Sequence, residues 1–294
     1  MKISAKLVME LRKKTNAGMM DCKKALVEKE GDLEEAITYL REKGITKAAK
    51  KAGRTTSQGL VFGALTNDKK IGALIEFNSE TDFVAKNDEF INFGEKLAQI
   101  ILKNDINNID ELNTFELESG KNIQETLKEM IAKIGENMTI RRLKRVEASG
   151  FVNLYIHMGG KIGVLVTTDS ELNDENESKV DDIAMHVAAM APSYFDKTDV
   201  TEEDKEHEKS IMKKQLLEQG KPEKIIDKIL IGKMRKFYEE NCLMQQKFVK
   251  DDKISVSQYA GDLNIISADR FKVGEGIEKK EEDFAAEVAA QMNQ

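Results

Sequence analysis

The side chains of this sequence that could carry acid–base or metal chemistry are few and scattered. Glu80 and Asp82 are two carboxylates two positions apart, a pair that a hydrolase could use. Three histidines are present, far apart and without metal-ligand spacing: His157, His186 and His207. His186 lies among alanines on an apolar helix, which favours a core or interface histidine. We therefore expect no metal, no cofactor and no covalent catalysis, and a hydrolase is the least favoured function class.

Two further segments lack the residues that would make them ligand sites. Gly159-Gly160-Lys161 is not part of a Gly-x4-Gly-Lys-Ser/Thr pattern, so it indicates a hairpin turn and not a nucleotide-binding loop. The acidic segment 169–182 lacks the glycine of a calcium loop. Cys22 has two lysines beside it, as a reactive thiol can, but a buried structural cysteine is the preferred interpretation.

The segment 79–90 is more informative, because it places an aromatic side chain in a polar loop. It follows an apolar strand, residues 71–77, and precedes a helical pattern of apolar residues. Phe83 lies between Asp82 and Val84 in this loop. An apolar side chain at a loop tip either packs beneath the loop as local core or is offered to a partner. The chemistry of the residues leaves both alternatives open.

Composition excludes several classes of protein. The chain has 294 residues, of which 34% are charged and 40% hydrophobic, so we expect two or more globular domains. The net charge of −7, with acidic and basic residues interspersed, argues against nucleic acid as a direct ligand. No apolar run approaches the roughly 20 residues of a membrane span. Two cysteines and no signal-peptide core at the N-terminus predict a cytoplasmic location.

The N-terminal part is predicted to be a small helical domain. Residues 4–43 show three short helical patterns, with Ser4 and Asp32 as helix caps. Met19 and Met20 begin the second helix and are either core or a contact surface for a partner; helical spacing allows one to point inward and the other outward. We assign residues 1–46 to this domain and residues 47–58, which are basic, to a linker.

The middle of the chain contains a repeat. Residues 70–75, Lys-Ile-Gly-Ala-Leu-Ile, are similar to residues 161–166, Lys-Ile-Gly-Val-Leu-Val, and each segment is the second strand of a predicted hairpin. A helix follows each hairpin, at 88–102 and 178–190, and a third strand then closes each sheet, at 140–146 and 268–273. The fold class is therefore α+β, with two related subdomains of small antiparallel sheet plus helices. Their predicted bounds are 59–148 for the first, and 149–200 with 253–273 for the second.

The remaining segments are predicted to be helical. Residues 201–252 form an insert, in which Gly220-Lys221-Pro222 joins two helices into an antiparallel hairpin. Residues 274–294 form a C-terminal module that contains a helix at 280–292.

Thr81-Asp82-Phe83-Val84-Ala85-Lys86-Asn87 resembles the signature of the elongation factor Ts family. Four further segments are similar to later blocks of that family, in the same order: 160–166, 184–189, 247–251 and 273–278. Residues 11–15 with 17–26 resemble its N-terminal three-helix domain, which is like a ubiquitin-associated (UBA) domain. Asn16, where the family usually has glycine, and the polar Ser267-Ala268-Asp269 depart from the pattern.

The resemblance implies a function that the residues alone do not. The family exchanges guanine nucleotides on elongation factor Tu, so Tu is the expected partner, with no covalent chemistry on this chain. Thr81, Asp82, Phe83 and Val84 would form the wedge that displaces Mg²⁺, and His157 would act near the phosphate loop of Tu. In the N-terminal domain, the residues expected to contact the partner are Leu11, Met19 and Met20.

Two matters stay open at this point. A homodimer or a 2:2 complex with Tu is possible, since the helical hairpin could support dimers. The alternative function is a non-enzymatic adaptor that binds peptides or ubiquitin-like folds through its N-terminal domain.

Overall fold

A computed structural model describes residues 3–15 and 17–278 of the chain. The N-terminal domain consists of three helices, α1 (Ala5–Thr15), α2 (Met19–Glu28) and α3 (Leu33–Lys51). Both predicted caps are confirmed: the Leu7 N–H donates to Ser4 Oγ at 3.2 Å, and the Glu35 N–H donates to Asp32 Oδ1 at 2.8 Å. The helices enclose a small core of their own, formed by Val8, Leu11, Cys22, Ala25, Leu26 and Ala36.

The first subdomain is a three-stranded antiparallel sheet with helices on one side. Its strands are β1 (Gln58–Leu65), β2 (Ile71–Ser79) and β3 (Met138–Glu147), in the order β1-β2-β3. Four helices lie between β2 and β3: α4 (Asp82–Ala85), α5 (Asp88–Lys103), α6 (Ile109–Thr114) and α7 (Ile123–Ile134). The amphipathic helix α5 covers β1 and β2 and buries its apolar face on them.

The second subdomain repeats this arrangement. Its strands are β4 (Phe151–His157), β5 (Ile162–Thr168) and β8 (Ile265–Lys272), in the order β4-β5-β8. The elements between β5 and β8 are α8 (Asp174–Met190), α9 (Glu202–Glu218), α10 (Glu223–Asn241), β6 (Lys247–Phe248), β7 (Asp251–Ser255) and α11 (Val256–Ala260). The predicted α+β fold class, with its two related sheets, is confirmed. Helix α8 starts four residues earlier than expected, because Asn173 caps it.

The two sheets pack face to face, which the sequence analysis did not predict. Their facing sides meet through a second apolar layer formed by Val61, Leu74, Val152 and Leu165, together with Ala148. Helices α5 and α8 lie on the opposite, outer sides. The central body of the molecule is therefore four layers deep, in the order helix, sheet, sheet, helix.

Helix α3 corrects the predicted linker. It continues to Lys51, so residues 47–51 are helical and do not belong to a linker. Its second half packs on α7: the Arg41 guanidinium pairs with Glu125 at 2.8 Å, and Lys51 Nζ donates to the Gly135 carbonyl. At the crossing point, a Cβ on Gly44 would lie 3.3 Å from Ala132 Cβ. The N-terminal domain is thus attached by a docked helix.

The predicted insert is also shorter than expected. Helices α9 and α10 form the antiparallel hairpin, with Gly220 at φ +75° in the turn between them. The hairpin ends at Asn241, and Leu243 and Phe248 lie in the core of the second subdomain. Residues 242–252 are therefore part of that subdomain and not of the insert.

The predicted C-terminal helix, at 280–292, lies outside the described residues, as does the part of the C-terminal module from 279 onward. Among the helices of residues 3–15 and 17–278, none has the length and apolar character needed to span a bilayer.

Candidate functional site

Phe83 is the most exposed large hydrophobic side chain among the described residues, at 80%. It lies on the four-residue helix α4, whose neighbouring positions are fixed. Thr81 caps this helix by accepting the Val84 N–H on Oγ1 at 3.5 Å. The Thr81 N–H and hydroxyl both donate to the Glu136 carboxylate, at 3.0 and 2.8 Å. Val84 and Ala85 are buried in the hydrophobic core of the first subdomain.

The four residues predicted to form the wedge differ in how far their side chains are exposed. The local-core alternative for Phe83 is wrong, because Val84 occupies the core beneath the loop and Phe83 faces solvent. Val84 is 7% exposed and anchors the loop in the free chain, and its predicted place in the wedge stays a prediction. Thr81 is a partly buried cap. Of the four predicted wedge residues, Asp82 and Phe83 are the two whose side chains face outward.

Charged groups surround the Phe83 ring. The Lys86 ammonium contacts Asp82 Oδ2 at 2.7 Å and lies 5.8 Å from the centre of the Phe83 ring. The hydrogen bond from Lys86 lowers the pKa of Asp82 below its usual range. Burial lowers the pKa of Lys161, whose charge also interacts with Asp82 and Lys86. Lys161 belongs to the second subdomain, so the two subdomains meet beside α4.

The turn between β4 and β5 forms the other half of this surface. His157 ends β4, and its Nδ1 lies 3.1 Å from the Tyr155 hydroxyl. Met158, the next residue, is 68% exposed. The turn is held against β1, because the Val61 N–H donates to the Gly160 carbonyl at 2.7 Å and Lys161 Nζ donates to the Gly59 carbonyl at 2.9 Å.

We call this area the Phe83 surface and define it by six residues of α4 and the β4–β5 turn: Asp82, Phe83, Lys86, His157, Met158 and Lys161. Sequence analysis identified three of them but missed Lys86, Met158 and Lys161, and it also missed Glu136 beneath them. Met158 carries the same signal as Phe83, a large apolar side chain in a polar turn. Glu136 carries no local signal, since it lies far along the chain from its partner Thr81. The surface can bind an apolar pocket with a mixed-charge rim.

The N-terminal domain carries a second apolar surface. Met19 and Met20 are 48% and 64% exposed, so neither of them is a core residue of the domain. Met9 and Val27 are exposed as well. Leu11, by contrast, is fully buried in the domain core beneath this surface, and its predicted contact with a partner stays a prediction.

Two residues weighed as possible reactive groups are structural. Cys22 is fully buried in the N-terminal core. His186 is fully buried between two partners: its Nδ1 accepts the Val249 N–H at 3.1 Å, and its Nε2 lies 2.9 Å from Gln246 Oε1. Since Nδ1 accepts a hydrogen bond, the proton of the neutral ring lies on Nε2 and is donated to Gln246. Both predictions of a structural role are confirmed.

Comparison with known proteins agrees with this arrangement of elements. Residues 80–275 match the family model described as Elongation factor TS, a span that includes the α4 loop and the whole second subdomain. Elongation factor Ts of Halothermothrix orenii is 50% identical over 297 aligned residues, covering 100% of this chain and 99% of that protein. The protein of the same name from a Nitratiruptor species is 50% identical, covering 99% of this chain and 100% of its own. That of Clostridium perfringens is 46% identical, covering 98% of each. The chain therefore belongs to the elongation factor Ts family of translation elongation factors.

Proposed function

We propose that this chain is a guanine nucleotide exchange factor for elongation factor Tu. It binds Tu·GDP, displaces Mg²⁺, promotes release of GDP, and stays bound until GTP restores Tu. The chain performs no covalent chemistry and uses no cofactor of its own in this cycle, which takes place in the cytoplasm. Family membership supports the partner, and the geometry of Phe83 supports the mechanism.

The observation that carries the proposal is that the Phe83 ring is exposed to solvent while the backbone of α4, which bears it, is held in place. A flexible loop would lose conformational entropy on binding, which would offset part of the energy gained by burying the ring. Here the cap at Thr81, the Glu136 carboxylate and the buried Val84 already hold α4 in place. The energy of burying Phe83 is therefore available to displace groups of the partner.

The nucleotide contacts of the partner are the natural target. In translational GTPases, Mg²⁺ and the phosphate loop carry most of the charge interactions with GDP. An apolar wedge with the Asp82–Lys86 pair beside it, inserted near the metal, would disturb these contacts. His157 lies on the same surface and would act near the phosphate loop. Met19 and Met20 would hold the partner from the N-terminal domain.

The proposal is tested with Tu that carries a fluorescent GDP. Substoichiometric amounts of the chain, mixed with this complex and excess GDP, should accelerate loss of the fluorescence over many turnovers. The acceleration should shrink when EDTA has already removed Mg²⁺, because the displacement of the metal is then complete before the chain binds. Tight binding to Tu without acceleration would contradict the proposal and support the adaptor alternative.

A further inference from the structure

Glu76 is a fully buried carboxylate in the layer between the two sheets. It lies on the same face of β2 as Leu74, two residues before it, and therefore faces the second sheet. Five hydrogen bonds converge on its two oxygens. Arg142 Nε donates at 2.6 Å, Arg141 Nη1 at 3.0 and 3.1 Å, Asn78 Nδ2 at 3.1 Å, and the backbone N–H of Gly274 at 2.8 Å.

A β-bulge makes this arrangement possible. Opposite Glu76 and Phe77, strand β3 contributes Arg142 and Ile140, so that Arg141 is the extra residue. In a regular strand, consecutive side chains would point to opposite faces. The bulge redirects the strand locally, and both arginines reach the same carboxylate.

The hydrogen bond to Gly274 connects Glu76 with the second subdomain. Gly274 follows β8, and the turn there is tightly placed: Gly274 has φ +72°, and a Cβ at this position would overlap the Ser57 carbonyl oxygen. The preceding N–H, that of Val273, donates to the Lys161 carbonyl at 3.0 Å. The Lys161 N–H in turn donates to the His157 carbonyl at 3.1 Å. The turn therefore contacts Glu76 on one side and the His157 turn on the other.

Glu76 is also close to the other half of the Phe83 surface. Strand β2 ends at Ser79, whose hydroxyl donates to the Thr81 carbonyl at 2.7 Å, and Thr81 caps the helix that carries Phe83. A single buried side chain thus lies between the strand that leads to Phe83 and the turn that supports His157.

A contribution to the stability of the fold does not by itself explain why a carboxylate is buried here. Burying an ion pair removes both charges from water, and apolar residues of similar volume often stabilise a core as well or better. The Leu74 side of the same layer shows that apolar contacts are available here. A buried charge whose hydrogen bonds are all formed holds its donors in one defined arrangement relative to each other.

We propose that Glu76 is a positioning residue, which fixes the His157 turn relative to Phe83 so that both halves of the Phe83 surface engage one partner together. This inference rests on the proposed exchange function. It assigns to Glu76 no contact with the partner.

Two variants test it by independent routes. Glu76→Gln keeps the length of the side chain but places an amide against two guanidinium groups. Gly274→Ala leaves Glu76 intact and displaces the turn, because its Cβ would overlap the Ser57 carbonyl. Asp269→Asn is the matched control: it weakens another ion pair between the sheets, Asp269 with Lys144 at 3.2 Å, which touches neither the turn nor the Phe83 surface.

The first measurement needs no partner. Amide hydrogen exchange, followed by NMR in the free protein, should accelerate at Val273, at position 274 and at Lys161 in both test variants. It should stay unchanged at Ile75, the residue before Glu76 in strand β2. Glu76→Gln removes the charge of the group that accepts this N–H, and Gly274→Ala displaces the N–H from the carboxylate. Because a hydrogen bond to a charged group is weakened in both variants, we expect an acceleration of roughly tenfold or more.

The second measurement is GDP release from Tu at increasing concentrations of each variant. A smaller folded fraction raises the concentration needed for half-maximal rate but leaves the saturating rate unchanged. Misplacement of the two halves lowers the saturating rate itself, and we expect a loss of roughly tenfold in both test variants. Asp269→Asn should keep the wild-type saturating rate.

The outcomes are separable. Wild-type saturating rates in Glu76→Gln and Gly274→Ala would overturn the positioning role, whatever the amides show. An equal loss of rate in Asp269→Asn would also overturn it, because general weakening of the sheet interface would then suffice. If the wild-type chain itself does not accelerate release, the proposed function fails, whereas a failure of the inference leaves wild-type exchange intact.

Discussion

At the residue scale, Phe83 combines two properties that one side chain rarely has, since it is highly exposed and its backbone is fixed. We predict that Phe83→Ala slows GDP release from Tu by roughly ten- to a hundredfold, the effect of losing a buried aromatic contact in the rate-determining step. The melting temperature should stay at the wild-type value, because the ring contributes little to the core. Stopped-flow fluorescence and calorimetry measure the two quantities.

Ile231→Ala is the matched control for this prediction. Ile231 is 73% exposed and lies on α10 of the helical hairpin, away from the Phe83 surface. Truncating the Ile231 side chain should change neither the rate of GDP release nor the melting temperature. A Phe83→Ala chain that melts normally and releases GDP at the wild-type rate would remove Phe83 from the mechanism.

His186 gives the protein a stability that depends on pH. Burial lowers the pKa of His186 from its usual 6.5. In the interval between the two pKa values the unfolded chain binds a proton that the folded chain does not. The stabilising contribution of neutral His186 is therefore complete above about pH 6.5 and is lost as the pH falls through the folded-state pKa.

The measurement is urea unfolding of wild type and His186→Asn between pH 5 and pH 8. Asparagine can still accept the Val249 N–H near the position of Nδ1 but does not titrate. Carboxylates contribute to the pH dependence of both chains, so the difference between the two curves isolates the histidine. We expect wild type to lose more stability than the variant on acidification; parallel curves would show that His186 does not titrate in this range.

At the scale of elements, the contact between the sheets depends on glycines in the strands. A Cβ on Gly72 would lie 2.8 Å from Val152 Cγ1 and 3.0 Å from Leu165 Cδ2 of the opposite sheet. Gly72→Ala should therefore lower the free energy of unfolding by about 1–3 kcal/mol through overpacking. Urea denaturation measures the change.

Replacing a glycine by alanine should change the free energy of unfolding in the opposite direction when the glycine lies in an exposed part of a helix. Gly232 lies within α10, and a Cβ there would meet no atom within 4 Å. Gly232→Ala should raise the free energy of unfolding by about 0.5–1 kcal/mol, because alanine loses less backbone entropy than glycine on folding. Equal effects of the two substitutions would mean that the sheets do not pack as described.

The crossing of α3 and α7 determines how the N-terminal domain is held. Gly44→Leu places a large side chain where the helices approach most closely, at Ala132. We expect α3 to separate from α7, so that limited proteolysis cuts near residues 52–57 and the affinity for Tu falls. Glu34→Ala, at an exposed position in the first turn of α3, is a suitable control for folding of the domain. Unchanged proteolysis with unchanged affinity would contradict the docked arrangement.

Local patterns predicted most of the elements, and long-range contacts explain what they missed. The repeat at residues 70–75 and 161–166 indicated both central strands. It gave no sign that Gly72 and Gly163 are small because another sheet lies against them. The basic composition of residues 47–51 predicts a linker, although Ala48 is buried in the folded chain. In the candidate site, resemblance identified Phe83, whereas Glu136 and Lys161 become visible only when distant segments meet.

At the scale of the whole molecule, exchange without an energy source imposes reciprocity. If binding of the chain weakens GDP on Tu, GDP must weaken the chain on Tu by the same factor. We predict that titration with GDP lowers the affinity of a preformed chain–Tu complex, as measured by calorimetry. Mg²⁺ should lower the affinity of the chain for Tu further, because the metal binds together with the nucleotide.

An affinity for Tu that stays constant from zero to saturating Mg²⁺·GDP would contradict this prediction. The chain would then bind Tu without acting on its nucleotide site. The comparison requires the same protein concentrations throughout, since a ligand that binds one state shifts the apparent stability of a complex by mass action.

The order of strands in the second sheet has a consequence for synthesis on the ribosome. The first sheet can close once Glu147 has been made, but β5, which is buried along its whole length, waits for β8 at residues 265–272. Until then the nascent chain exposes an apolar strand edge, the kind of edge that pairs with other chains and aggregates. Truncated chains that end before Ile265 should therefore be trapped by chaperones or degraded, and a stop codon late in the gene should be as damaging as one near its start.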